Sequence, residues 1–313
     1  MPRAREVKNR IANVKDIRQI TKAMNAIAMA RLTRMKNRLS QARAYHREME
    51  NALQPFARDW EECRNPLVAP PAAEEEEEGK GKTGVMVLNS DRGLCGRYKE
   101  ELNRATRDFI RSRQEPVALI AGGEKAHSYF HRWDELVHSW TKLYDEPEYE
   151  DARLMAEDVL ERVRSGQLRE FWLVYMEYYS DLNQELRVEQ VIPLSRPEGE
   201  KEEGEEEDGE TPELEEEEGE GRRDERELYV LEPSREEILD EFLVSYFKEK
   251  IFWSVLQTKT SEQAIRRRAM RDATENADEL VDELTLTYNK ARQQQITREI
   301  NDIMGGAEAL REE

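Results

Sequence analysis

Cysteine is nearly missing: Cys63 and Cys95 are the two in 313 residues, and they share no C-x-x-C spacing. Neither a disulfide framework nor a thiolate zinc site is indicated, and a reducing compartment fits. Long apolar runs are missing too. Nothing approaches the roughly 18 apolar residues in a row that would span a bilayer, and the opening Met1-Pro2-Arg3-Ala4-Arg5 lacks the apolar segment of a signal peptide. The expectation is a soluble, intracellular chain. Apolar residues reach only 37% while charged residues reach 38%. An ordinary domain is about a quarter charged, so this balance suits long solvent-bathed helices better than one thick core. Glycine and proline are absent over two long stretches, between Arg3 and Gln54 and between Pro233 and Gly305.

What charge there is lies unevenly. The formal net charge is −20, and Glu74–Glu78 with the stretch 198–221 carries −19 of it. The second stretch holds 15 acidic residues and a single lysine, Lys201. Like-charge runs mixed with Gly and Pro cannot bury enough apolar surface to offset the entropy of ordering, so both read as flexible surface insertions. Against this, residues 1–60 hold 14 Lys and Arg to 5 Asp and Glu, a basic rod. Phosphate contacts need little beyond such residues. Here, however, they interleave with a regular apolar seam in an acidic chain, which favours an acidic protein partner over nucleic acid.

That seam runs Val7, Ile11, Val14, Ile17, Ile20, Met24, Ile27, Met35, Leu39, Ala42, Tyr45, Met49 and Leu53, mostly three or four apart. It predicts a coiled-coil-like helix roughly 78 Å long that ends or kinks at Pro55. A second helix is predicted from Ser234, whose spacing to Glu237 is that of a capping box. Its seam passes Ile238, Phe242, Leu256, Ile265, Ala273, Leu284 and Ile296 to Ile303, and Gly305-Gly306 reads as its left-handed cap. At 1.5 Å per residue it would exceed roughly 100 Å, a coiled-coil length. Apolar content falls at Gln257–Thr260, where a bend would sit.

Between the rods the period becomes that of strands: 84–88, 117–120, 170–175 and 185–192, with helical stretches at Leu102–Ile110 and Ala152–Val163. Alternating strands and helices predict a small α/β sheet domain, and Leu228–Leu231 adds a possible edge strand. The fold class is therefore α/β plus coiled coil. The expected division is 1–60, first shaft helix; 61–83, acidic linker; 84–195, central domain; 196–227, acidic insertion; 228–313, second shaft helix.

Chemical motifs are weak. Gly81-Lys82-Thr83 lacks the upstream glycine of a phosphate loop, since Glu76 stands there, and it precedes a strand. Ser90-Asp91-Arg92-Gly93-Leu94-Cys95-Gly96 follows a strand and opens a helix but lacks the G-x-G-x-x-G spacing, so a structural turn is favoured. His127 and His131 are spaced to share a metal with His138 near, yet no further Cys or His completes a ligand set. No catalytic residue, cofactor site or metal site is assigned.

Longer blocks carry a resemblance. Lys8-Asn9-Arg10-Ile11, Ile20-Thr21-Lys22-Ala23-Met24, Ser90 to Gly96, Ser261-Glu262-Gln263-Ala264, Ala273-Thr274-Glu275-Asn276-Ala277 and Tyr288 through Ile300 resemble, in order, the gamma subunits of F-type ATP synthases. The resemblance implies an antiparallel coiled coil of the terminal helices with a Rossmann-like α/β domain at its base. It further implies a non-catalytic rotor inside a ring of three alpha and three beta subunits, meeting the epsilon subunit and the ring of c subunits, peripheral to a bacterial cell membrane. Carried over residue by residue, Arg292, Gln293, Thr297 and Glu299 would catch a beta loop near the shaft tip. Met24 and Arg266 would lie where an acidic lever of beta presses, and Lys22 and Asn289 are further expected partner contacts. Arg97-Tyr98-Lys99 and Arg267-Arg268 depart from the family pattern, and the paired-cysteine insertion of chloroplast members is absent. The alternative is a coiled-coil scaffold or adaptor that binds an acidic protein.

Overall fold

The computed structural model describes residues 4–56, 60, 63–69, 81–142, 146–196 and 234–309. Both acidic stretches, the Leu228–Leu231 strand and Lys80 lie outside them. Two helices dominate: α1, Ala4–Leu53, and α5, Arg235–Ala309. With no proline and no glycine inside, α1 keeps its backbone ladder unbroken until Pro55, where the chain tightens into a 3-10 turn over Gln54–Phe56. Ser234 Oγ accepts the Glu237 N–H at 3.2 Å and starts α5 as its sequence predicts. The end differs from expectation: α5 runs on through Gly305-Gly306 to Ala309. Glycine costs about 1 kcal/mol in a helix but forbids nothing, so a cap signal is permissive only.

Between the helices lie β1 Lys82–Leu88, α2 Tyr98–Ser112, β2 Val117–Gly122, α3 Glu124–Phe130, β3 Leu136–Trp140, α4 Tyr149–Arg164, β4 Leu168–Tyr178 and β5 Gln184–Ile192. The five strands form one sheet in the order β3-β2-β1-β4-β5, parallel except for the β4–β5 hairpin. β1 and β2 are buried on both faces, which is why they read as continuous apolar runs. The sequence reading missed α3 and β3. The helix is two turns long, and the strand Leu-Val-His-Ser-Trp is a half-buried edge, so neither shows a usable period.

Each face of the sheet has its own core. Val85, Val87, Leu119 and Val174 point to α2 and α3, meeting Leu102, Ile110, Ala126 and Phe130. Met86, Leu88, Ile120, Phe171 and Leu173 point the other way, to α4 and the first part of α5. α4 presents Ala152, Met155, Ala156, Val159, Leu160 and Val163, spaced alternately three and one apart. α5 presents Leu239, Leu243, Phe247, Ile251 and Val255, one every four residues. The second long helix is thus both half of the shaft and one wall of the domain.

Candidate functional site

The two long helices pair antiparallel. Arg18 Nε meets Asp278 Oδ1 at 2.5 Å, Thr274 Oγ1 donates to Thr21 Oγ1 at 2.8 Å, and His46 faces Glu249. The α1 seam in contact is Val7, Ile11, Val14, Arg18, Thr21, Asn25, Ala28, Leu32, Met35, Leu39, Ala42, His46, Met49 and Leu53, with steps of four and three throughout. That is an unbroken heptad pattern. It corrects the apolar seam expected from sequence. Ile17, Ile20 and Ile27, one residue out of phase with Arg18, Thr21 and Ala28, are 54%, 59% and 50% exposed, and Tyr45 is exposed too. Three isoleucines aligned on one outer face of a helix mark a surface made to be covered.

Lower in the shaft, His46 occupies a seam position, stacked on Trp253 with ring centroids 4.6 Å apart. Its Nδ1 lies 2.7 Å from Glu249 Oε2 and its Nε2 lies 3.4 Å from Glu50 Oε1. Burial pushes the imidazole pKa down, but the hydrogen bonds to Glu249 and Glu50 outweigh burial and leave it raised.

The candidate contact residues fall in two groups along the axis. Lys22 is exposed and Met24 half-buried, and by the antiparallel register they stand level with residues near 271–273 of α5. Asn289, Arg292, Gln293, Thr297 and Glu299 are exposed further up. Arg292, nineteen residues beyond Ala273, stands roughly 28 Å higher. Arg292, Ile296 and Glu299 line a cleft of about 460 Å³ with Ala4, Arg5 and Lys8, where α1 begins and α5 continues alone. Beyond it Ile300, Ile303 and Met304 are exposed.

Arg266 is corrected. Expected on a contact face, it is 5% exposed. Its Nη1 pairs with Glu262 Oε1 at 2.5 Å, and its other nitrogens reach the Gly93 and Arg92 carbonyls at 3.3–3.4 Å. It therefore holds the Ser90–Gly96 turn to α5.

Around it lies a polar stretch of α5 where the sequence suggested a bend and the structure shows unbroken helix. Gln257-Thr258-Lys259-Thr260-Ser261-Glu262-Gln263 is polar and almost wholly buried. β1 stops pairing with β4 at Val87 and Val174. Past that point α5 takes the place of the neighbouring strand. The Met176 N–H donates to Thr258 Oγ1 at 2.8 Å, the Tyr178 N–H to Gln257 Oε1 at 2.9 Å, and Ser261 Oγ to the Met176 carbonyl at 3.2 Å. Tyr98 Oη donates to the Thr258 carbonyl at 3.2 Å, and Lys259 Nζ pairs with Glu262 Oε2 at 3.0 Å. Buried backbone groups need such partners, which is why an apolar helix could not run here. The signal was available: a polar run within a seam that continues on both sides.

This segment fills the crevice beyond the carboxyl ends of β1 and β4, where strand order reverses and an open α/β sheet would hold a ligand. The Ser90–Gly96 turn serves structure. Asp91 Oδ1 accepts the Glu124 N–H at 2.9 Å, capping α3, and Gly96 sits at φ +56°. His127 Nδ1 is 2.9 Å from Ser139 Oγ and His131 Nδ1 is 3.0 Å from the Ser128 carbonyl. Among the described residues no three His, Cys, Asp or Glu gather as metal ligands, and no helix is long and apolar enough to cross a membrane.

Known proteins bear on this geometry. The family model described as ATP synthase matches residues 3–310. The ATP synthase gamma chain of Desulfitobacterium hafniense is 33% identical over 311 residues, covering 99% of this chain and 100% of its own. That of Moorella thermoacetica is also 33% identical, with the same shares covered. Among solved structures, a chain in the Euglena gracilis mitochondrial ATP synthase OSCP/F1/c-ring structure matches with a TM-score of 0.60 at 18% identity, covering 98% of this chain and 94% of that one. A chain of the Tetrahymena thermophila mitochondrial central stalk/c-ring structure gives 0.56 at 18% identity, covering 81% and 99%. These structural likenesses speak to the fold.

Proposed function

The chain belongs to the ATP synthase gamma-chain family, and from that premise we propose that it is the central-stalk rotor of a bacterial ATP synthase. It couples ion-driven rotation of the membrane c-ring to ATP synthesis or hydrolysis at the beta subunits, and makes and breaks no bonds itself. Its partners are the ring of three alpha and three beta subunits, the epsilon subunit and the c-ring. It works peripherally, at the cytoplasmic face of the cell membrane.

The observation that carries this reading is the joining of α5 to both bodies: one continuous helix is a wall of the α/β domain below and half of the shaft above. A twist applied to the domain is passed to the shaft without crossing a flexible linker. Ile17, Ile20 and Ile27, with the exposed tip Ile296, Ile300 and Ile303, give the outer surface an apolar bearing. Lys22, Met24, Asn289, Arg292, Gln293, Thr297 and Glu299 supply the contacts to beta at two levels. Arg292 is suited to a bidentate grip on a carboxylate. Arg266 acts at one remove, by holding the turn after β1 against the axle.

Reconstitution tests this reading. Alpha and beta subunits assembled with this chain should hydrolyse ATP faster than the same subunits without it, and the three should elute as one complex. Equal rates with and without the chain, and separate elution, would leave the rotor reading without support.

A further inference from the structure

The three consecutive arginines Arg266, Arg267 and Arg268 reach two different loops at one end of the sheet. Arg266 takes the turn after β1. The other two take the tip of the β4–β5 hairpin. Arg267 Nη1 lies 3.1 Å from Asp181 Oδ2, and Arg268 Nη2 donates to the carbonyls of Asp181 and Leu182 at 2.9 and 3.1 Å and to Gln184 Oε1 at 2.9 Å. From the other shaft helix, Lys36 Nζ reaches Asp181 Oδ1 at 3.2 Å. The Tyr178 hydroxyl donates to that same oxygen.

We propose that the β4–β5 hairpin tip is a strut, with Asp181 as its foot, that braces both shaft helices against the α/β domain and stiffens the rotor to twist. This rests on the rotor reading. One carboxylate on the domain holds a cation from α1 and a cation from α5, so relative turning of shaft and domain must stretch both pairs at once. The tip has little apolar attachment beyond Tyr178. Leu182 is 77% exposed, and Tyr179, Ser180 and Asn183 are exposed as well. Removing the charged contacts therefore frees the tip.

The tip is stiff enough to act as a strut. The Tyr179 and Ser180 N–H groups donate to the Asn183 carbonyl at 3.2 and 3.0 Å, while Ser180 Oγ accepts from the N–H groups of Leu182 and Asn183 at 3.3 and 3.0 Å. Single exposed ion pairs contribute little to stability. Here one nitrogen, Arg268 Nη2, faces three acceptors on the tip and the Asp181 carboxylate is shared between two helices, which fixes geometry where a lone pair would not. The ionisation directions agree: hydrogen bonds from Tyr178 and Lys36 hold the Asp181 pKa down, and the bond to Asp181 holds that of Lys36 up. A contact beside the shaft acts through a lever arm, so even a modest bond resists rotation there more than the same bond on the axis.

The test uses the assembled complex of this chain with alpha and beta subunits, the ring fixed to glass and a bead on the outer face of α2. The spread of bead angles during a catalytic pause measures torsional compliance. Asp181→Ala and Arg268→Ala should each broaden that spread while ATP hydrolysis without load stays at the parent rate. Asp181→Glu, which keeps the carboxylate, should retain the parent's spread. Circular dichroism of each variant confirms that it is folded before the bead measurement. A spread unchanged in both alanine variants would overturn the strut. A parent complex that hydrolyses ATP but shows no rotation would overturn the rotor reading instead.

Discussion

A buried histidine in a coiled-coil seam is an unusual choice, and at His46 its consequences can be worked out from its neighbours. The groups facing it are Glu249 on α5 and Glu50 on its own helix, with Tyr246 close to both carboxylates and Lys250 close to Glu50. Its pKa is raised above the ordinary value near 6.5, so the folded state binds the proton more tightly than the unfolded chain. The stability gained is full below about 6.5 and is lost as pH rises through the higher folded value. The melting temperature should fall as pH is raised from about 6 to about 8, and His46→Gln should lose that component; a variant whose melting follows the parent's pH curve would contradict the assignment. At pH 6, His46→Ala strands the Glu249 carboxylate, which should destabilise by about 3 kcal/mol or more in denaturant titration. Gly123 is a second residue whose role the geometry fixes. It sits at φ +91°, and an added Cβ would lie 2.5 Å from the Asn89 carbonyl oxygen. Gly123→Ala should therefore lose several degrees in thermal melting or fail to fold. Neither role was legible in the sequence, where His46 went unremarked and Gly123 was one glycine among fifteen.

Among the elements, those with a clear period were readable. α1, α4 and the two-faced strands announce themselves because burial on one side or both leaves a regular apolar pattern. α3 and β3 do not, since each is too short or too exposed for a pattern to accumulate. The polar segment of α5 failed for a different reason. Seam logic assumes that a helix buries side chains against side chains, whereas Gln257, Thr258 and Ser261 bury against a strand's backbone. That difference predicts a cost. Thr258→Val keeps the shape but leaves the Met176 N–H buried without a partner, and chemical denaturation should show a loss of about 1–3 kcal/mol. If Thr258→Val melts with the parent, the helix is not completing the ladder. Phe247→Ala, on the apolar ridge of the same helix and edge-on to Phe171 at 6.0 Å, should cost about 3–5 kcal/mol through the cavity it leaves.

For the whole molecule, the sequence revealed a shaft and a small α/β domain but not which apolar face was inner. Both candidate stripes on α1 have helical spacing: Ile17, Ile20, Met24 and Ile27 on one, Arg18, Thr21, Asn25 and Ala28 on the other. Hydrophobicity alone chooses the first, whereas partnership with α5 through Asp278 and Thr274 puts the second inside. The choice is reasonable for a rotor. A greasy outer stripe lets a surrounding collar slide past, while polar pairs fix the register of the two helices within. Two substitutions separate these duties. Ile20→Ser removes exposed apolar surface and should leave the isolated chain's stability within about 0.5 kcal/mol of the parent. Arg292→Ala should do the same, since the residue is exposed on the upper shaft. In the assembled, membrane-reconstituted enzyme the two should diverge. Arg292→Ala removes the grip proposed for the upper shaft and should lower ATP-driven ion pumping per ATP hydrolysed, whereas Ile20→Ser should weaken co-elution with alpha and beta and leave that ratio intact. Loss of folding in Arg292→Ala, or an unchanged pumping ratio, would mean that torque passes elsewhere along the shaft.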